Sequence, residues 1–173
     1  MKARRDYLIL AGLTGLLLVL PFFLNQFQLS LAILVLYFAL IGAAWNIMGG
    51  YAGQFSFGHA AFYGIGAYTS TVLLLKLGLS PWLGMLVGAA LAGLFGIGMG
   101  YLTFRYGLKG PYFALATFAF AEMLRLISND WAFIGSSIGV HIPLIRGDSW
   151  ARLQFDETPR NYYFAILILF VIG

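Results

Sequence analysis

Five apolar runs, each long enough to cross a bilayer as a helix, follow one another through this chain, and that succession restricts it to a polytopic helical membrane fold. A hydrocarbon core of about 30 Å needs roughly 20 helical residues, with 17 to 25 acceptable. The runs are Tyr7–Leu24, Leu29–Met48, His59–Leu75, Pro81–Phe104 and Pro111–Ser128, separated by breaks at Asn25–Gln28, Gly49–Gly58, Lys76–Ser80 and Arg105–Gly110. A sixth run, from Tyr162 to Gly173, has only twelve residues and is expected to be a helix cut off before it spans. The expected organisation is therefore one all-α transmembrane domain over residues 1–173, incomplete at its C-terminus. Asn129–Asn161, which holds Asp130, Asp148, Asp156, Glu157 and three arginines, is the expected extracytoplasmic loop. Hydrophobic residues make up 61% of the chain and charged ones only 9%, against roughly 25% charged residues in soluble domains.

Charge placement matters more than the net charge of +4. Lys2, Arg4 and Arg5 precede the first run, a signature of membrane topology and not of nucleic-acid binding. With the N-terminus in the cytoplasm, Arg105 and Lys109 also lie inside, while Lys76, Arg125, Arg146, Arg152 and Arg160 fall at or beyond the outer face. The count is five against five, so the first helix decides, and a cytoplasmic N-terminus is expected. The first run ends in Pro21-Phe-Phe-Leu-Asn-Gln26 with no A-x-A-like cleavage site, which suits an uncleaved anchor. Trp45, Trp82, Tyr101, Tyr106, Tyr112, Trp131, Tyr162 and Tyr163 lie near run ends, where interfacial aromatic belts form. The absence of cysteine excludes disulfides, iron–sulfur clusters and cysteine zinc sites.

Residues Gly49 to Tyr68 read GGYAGQFSFGHAAFYGIGAY, an uncharged, glycine-broken segment between apolar runs. Lipid cannot satisfy free peptide groups, so irregular backbone at membrane depth must be covered by protein or face a watery cavity, where transporters place substrate. A plain cytoplasmic turn is the alternative, but such a loop attracts lysine and arginine and this one has none. Gln54, Ser56 and His59 are the candidate pathway contacts, and Gly50, Gly53 and Gly58 are expected to set the backbone. For His59 the competing reading is a histidine hydrogen-bonded in the protein interior.

Two further patterns concern assembly. Gly84, Gly88, Ala92, Gly96 and Gly100 repeat every four residues along one face of the fourth run, a ladder suited to close helix packing. Glu122 and Arg125 share a face near the outer end of the fifth run, as an interfacial ion pair or a polar contact at a pathway mouth. Catalytic signatures are missing. Gly53-Gln-Phe-Ser-Phe-Gly58 departs from G-x-S-x-G spacing by one residue, and there is no H-E-x-x-H, C-x-x-C or Walker A sequence. ATP, if used, must be bound by another polypeptide.

Two segments resemble the permease subunits of bacterial branched-chain amino-acid ABC importers of the LivM type. One is Trp45-Asn46-Ile-Met-Gly-Gly50-Tyr-Ala-Gly-Gln54-Phe-Ser56-Phe-Gly58-His59-Ala-Ala-Phe-Tyr-Gly64-Ile-Gly-Ala-Tyr68; the other runs from Leu108-Lys-Gly110-Pro-Tyr112-Phe113-Ala-Leu-Ala-Thr117 through Glu122-Met-Leu-Arg125. The resemblance implies alternating access driven from outside this chain. Its expected partners are a second related permease subunit, two cytoplasmic ATPase subunits carrying ATP and magnesium, and a periplasmic or surface binding protein that delivers leucine, isoleucine or valine. No cofactor is expected in the chain itself, and its expected location is the bacterial inner membrane. After the fifth run this sequence has Gly135-Ser-Ser-Ile-Gly139-Val140 where such permeases often show Thr-Gly-Gly then Gly. The ATPase-docking loop of that family is also missing, so the chain alone is not expected to transport. A neutral, apolar route suits a zwitterion with an aliphatic side chain. A urea or short-chain amide permease is the alternative within the class, and an ion-coupled secondary carrier, a channel or an intramembrane enzyme are alternatives outside it.

Overall fold

The computed structural model describes residues 12–143, 147–155 and 159–172. The beginning of the first run at Tyr7, the basic residues before it, and Arg146, Asp156, Glu157 and Gly173 lie outside the described residues. Among the described residues the regular elements are helices, with one isolated antiparallel bridge between Ser149 and Gln154. It is an all-α polytopic membrane protein. Its helices are α1 (Gly12–Phe22), α2 (Gln26–Asn46), α3 (His59–Leu77), α4 (Pro81–Arg105), α5 (Pro111–Asp130) and α6 (Pro159–Ile172).

Helix ends differ from the expected breaks for identifiable reasons. Gln26–Gln28 belong to the first turn of α2, because the Asn25 side chain accepts from the Gln28 amide at 2.9 Å while Gln28 Oε1 accepts from the Asn25 amide at 3.1 Å. This reciprocal cap satisfies two amides that would otherwise be free and starts the helix three residues early. At its other end α2 does not stop at Met48 but continues through a π-helical turn, Ile47–Tyr51. The loop expected at Asn129–Asn161 is shorter, since Asn129 and Asp130 complete α5 and Pro159–Asn161 open α6. Between them, Ala132–Ile134 and Ser136–Ile138 form single 3-10 turns.

Among the described residues three stretches, Gln26–Tyr51, His59–Leu77 and Pro81–Arg105, are long and apolar enough to cross a membrane. That is fewer than the five spans expected. α5 has the length, with 20 residues, but Glu122 and Arg125 lower its apolarity, while α1 and α6 are short over the described residues.

The chain divides into two compact units. One comprises residues 12–42 with 147–155 and 159–172. Its core is Leu29 and Leu36 of α2 against Tyr163 and Leu167 of α6, with Leu17, Ile33 and Phe170 packed around them. Leu29 and Leu36 are seven residues apart and Tyr163 and Leu167 four apart, so each pair shares a helix face. Tyr163 is fully buried and its hydroxyl donates to the Leu17 carbonyl at 2.9 Å. Burial against α1 and α2 removes this ring from the interfacial belt expected for it. In the same unit a tight turn, Ser149–Gln154, leads to a cluster of Trp150, Phe155 and Tyr162 rings, and Asn161 donates to Asp148 at 2.6 Å.

The second unit, residues 43–143, is built on an α3–α4 hairpin. Gly78 ends α3 in the left-handed conformation (φ +65°), and Pro81 occupies the first turn of α4 after Ser80. Glycine at the C-terminal side and proline at the N-terminal side are the residues each position favours. The hairpin closes by backbone contact: a β-carbon on Gly84 would lie 2.8 Å from the Ser70 Cα, and one on Gly88 2.9 Å from the Gly66 carbonyl oxygen. α5 packs on this pair through Phe113, Ala114 and Thr117, with the Phe113 ring stacked on Phe104 at 5.7 Å. At the far end of α3, Lys76 lies 3.2 Å above the Phe133 ring and donates to the Phe133 carbonyl at 3.3 Å.

Candidate functional site

The segment between α2 and α3 is irregular over a shorter stretch than the sequence suggests, and its geometry begins in the π-helical turn. Such turns insert one residue into a helix and recur at functional sites. Here Ala52 N–H reaches the Ile47 carbonyl at 3.2 Å and Gln54 N–H the Met48 carbonyl at 3.1 Å. Gly49 lies beneath the Trp45 ring, where a β-carbon would approach ring atoms to 3.0 Å, and Gly50 lies against the Asn46 side-chain amide. Gly53 then takes a left-handed conformation (φ +62°) that turns the chain away from the helix axis, a conformation glycine adopts without a β-carbon penalty.

Ser56, Phe57 and Gly58 are held at consecutive peptide groups. Trp45 Nε1 donates to the Ser56 carbonyl at 3.0 Å. The Phe57 amide donates to Thr117 Oγ1 at 3.1 Å, and the Gly58 amide to Ser56 Oγ at 3.2 Å. A β-carbon on Gly58 would lie 3.0 Å from the Thr117 carbonyl oxygen, so this contact also depends on a missing side chain. α3 starts immediately afterwards, with Gly58 at its N-cap and the Ala61 amide bonded to the Gly58 carbonyl at 3.0 Å. Thus Ser56, a candidate pathway contact, is buried and its hydroxyl is turned onto the backbone of its own segment.

Gln54 and His59 differ from Ser56. Gln54 Oε1 and His59 Nδ1 are both buried and neither has a hydrogen-bond partner among the described residues. The His59 imidazole meets the Phe62 ring edge-on at 6.4 Å, a contact that leaves the nitrogen unsatisfied. Buried polar atoms are nearly always paired, with protein, water or a ligand, because leaving one unpaired costs the desolvation it underwent.

Beside this segment an apolar cleft of 380 Å³ lies among α3, α4 and α5. Gly58, Ala61 and Phe62 form one wall, Phe95 and Met99 a second, and Thr117 stands where α5 meets Gly58. Of the residues singled out in the glycine-broken segment, Gly58 lines the cleft, whereas Gln54, Ser56 and His59 do not.

The remaining sequence candidates separate by location. Glu122 and Arg125 form an ion pair at 2.5 Å, with side chains 41% and 58% exposed, on the surface of α5 and outside the cleft lining. In the ladder, only Gly84 and Gly88 make backbone contact with α3. A β-carbon on Gly96 would meet the Phe62 ring at an ordinary 3.7 Å, one on Gly100 would meet Phe104 of its own helix, and Ala92 is half-buried. Sequence reasoning missed the reciprocal small face of α3, Gly66 and Ser70, although their four-residue spacing carries the same signal. It also placed Trp45 in an interfacial belt, whereas its indole is spent on Ser56, and it gave Thr117 no role.

Membrane-length helices, two of them joined by backbone contact, with an irregular glycine-rich segment between α2 and α3 in which Ser56 and Gly58 are buried, define a polytopic helical membrane protein. The chain belongs to the family described as branched-chain amino acid transport system / permease component, which it matches over residues 27–172. It is similar to the high-affinity branched-chain amino acid transport system permease protein LivM of Escherichia coli K12, at 30% identity over 158 residues, covering 91% of this chain and 36% of that protein. It is similar also to the protein of that name from Salmonella typhimurium LT2, at 28% identity over 158 residues with the same coverage. The chain thus spans 36% of the length of these curated relatives. No solved structure matches it.

Proposed function

We propose that this chain forms part of the translocation route of an ATP-binding-cassette importer for leucine, isoleucine and valine. The observation that carries the reading is the pair of buried, unpartnered atoms, Gln54 Oε1 and His59 Nδ1, at the two ends of the irregular stretch that precedes α3. A polar solute or water passing the segment supplies the partners the protein does not. Membership of the branched-chain permease family gives the substrate class, and the neighbouring apolar cleft favours an aliphatic side chain over urea or a short amide. Gln54 and His59 contact the solute in this reading, and Ser56, Gly50, Gly53 and Gly58 shape the backbone that presents them.

The energy comes from elsewhere. Two cytoplasmic ATPase subunits bind ATP and magnesium, a second related permease subunit completes the membrane unit, and a periplasmic or surface binding protein delivers substrate. The N-terminus lies in the cytoplasm of a bacterial inner-membrane protein, and the stretch between α5 and α6 faces outward. Uptake of labelled leucine by the full-length permease with its partners tests the reading. Gln54→Leu and His59→Leu are expected to lower uptake at unchanged protein level and unchanged affinity of the binding protein for leucine. Parent-like uptake by both variants would remove the segment from the route.

A further inference from the structure

We infer that Thr117 is a positioning residue that fastens the glycine-broken segment to α5, so that Gln54 and His59 keep their place in the route only while this joint is made. The inference rests on the pathway reading above and adds a residue that reading does not contain.

Thr117 has no exposed surface. Its hydroxyl donates to the Ala114 carbonyl at 2.9 Å, one turn back on α5, and this fixes the hydrogen so that the oxygen lone pairs face the segment. Phe57 N–H donates to that oxygen at 3.1 Å. The next residue, Gly58, lies so close that an added β-carbon would stand 3.0 Å from the Thr117 carbonyl oxygen and 3.3 Å from its Cβ. One residue of α5 therefore meets two consecutive residues of the segment, by a hydrogen bond at the first and by backbone contact at the second. Phe57 N–H precedes α3 and has no carbonyl of that helix to bond. Without the threonine hydroxyl this part-buried donor loses its partner, and the segment loses its hydrogen bond to α5.

The joint also stands at the edge of the cleft, since Gly58 and Thr117 both line it. A displacement of α5 against α3 and α4 changes the cleft and pulls the segment in one step. Trp45 holds the adjacent Ser56 carbonyl from the α2 side, so the segment is tied at both flanks while Gln54, which no side-chain bond restrains, lies between Gly53 and the tied residues.

The test compares Thr117→Val, which keeps the shape and removes the hydroxyl, with Thr117→Ser, which keeps the hydroxyl. Both are made in the full-length permease with its ATPases and binding protein, reconstituted in sealed proteoliposomes. Thr117→Val is expected to speed amide hydrogen exchange at Phe57 and Gly58 by about tenfold while exchange in α4 stays as in the parent. It is also expected to lower the maximal rate of leucine uptake at unchanged half-saturating concentration of loaded binding protein. Thr117→Ser should match the parent in both measurements. Parent-like exchange in Thr117→Val, or faster exchange with an undiminished uptake rate, overturns the inference. Equal losses in the serine and valine variants also overturn it, because the hydroxyl would then not be the cause. Should Thr117→Val fail to assemble, Gly58→Ala presses on the same contact from the other side and must lower the maximal rate with half-saturation unchanged; a parent-like rate overturns the joint. Failure of the pathway reading itself is read separately, from uptake by Gln54→Leu and His59→Leu.

Discussion

Trp45 Nε1 donates to the carbonyl of Ser56 at 3.0 Å, across the whole π-helical turn and the left-handed Gly53. The bond joins the last full turn of α2 to the residues that precede α3 and fixes the span of the irregular segment. Its ring meanwhile lies over Gly49 and against Phe55, at a centroid separation of 6.1 Å from the latter.

Replacing Trp45 by Phe keeps an aromatic ring above Gly49 and removes the donor. The expected loss is about 1 kcal/mol of stability, the usual worth of one intramolecular hydrogen bond. Thermal unfolding in detergent should move down, and a cysteine introduced at Phe55 should react faster with a small thiol reagent. Unchanged reactivity would show that the indole bond does not hold the segment.

The glycine ladder is expected to divide at its middle. Gly88→Ala forces a methyl group against the Gly66 carbonyl, and overpacking of this kind costs about 1–3 kcal/mol. Gly96→Ala meets only the Phe62 ring at 3.7 Å and should be neutral or slightly stabilising, since alanine favours helix over glycine. Melting temperatures of the two variants in one detergent decide the matter, and equal values would contradict the asymmetric hairpin.

Tyr163→Phe removes the hydroxyl bound to Leu17 and leaves the ring in place. A loss of about 1 kcal/mol is expected, felt in hydrogen exchange of α1 and α6 and not in α3 or α4. Faster exchange across all four helices would mean that the two units do not respond separately.

Cysteine substitutions at Gln54 and His59, in the assembled transporter, should react with small thiol reagents at rates that leucine-loaded binding protein and ATP alter. A cysteine at Leu86, on the exposed face of α4, should not respond to either. Rates that are insensitive at the first two positions would contradict their place in the route.

What could be read from residues alone was governed by the range of the interactions involved. Run length located α2 to α5 because helix hydrogen bonds are local and bilayer thickness is a fixed ruler. Terminal positions slipped where side chains decide them, as with the Asn25–Gln28 cap, which looks in sequence like a polar break. The Gly84 and Gly88 contacts were legible from spacing, but which half of the ladder faces a neighbour depends on where α3 lies, and spacing says nothing of that. Thr117 and Trp45 were illegible as partners of the broken segment for a related reason. Phe57 and Thr117 are sixty positions apart, and no periodicity links them. Tyr163 and Trp45 resembled belt residues because an aromatic near a run end carries the same sequence signal whether it meets lipid headgroups or a carbonyl of its own chain.

The three-residue connection Gly78–Ser80 bears on the order in which the molecule is assembled during synthesis. α3 and α4 are adjacent in the chain and meet through Gly66, Ser70, Gly84 and Gly88, so the pair can close as a hairpin as soon as α4 has emerged. The contact of Tyr163 with Leu17 spans 146 positions, and it and the contacts with the α2 face must wait until α6 is made. Until then the α2 face carrying Leu29 and Leu36 lacks its α6 neighbours Tyr163 and Leu167. A nascent chain halted before α6 would thus hold a finished hairpin beside an open helix face, the surface at which lipid or an assembly factor would have to stand in.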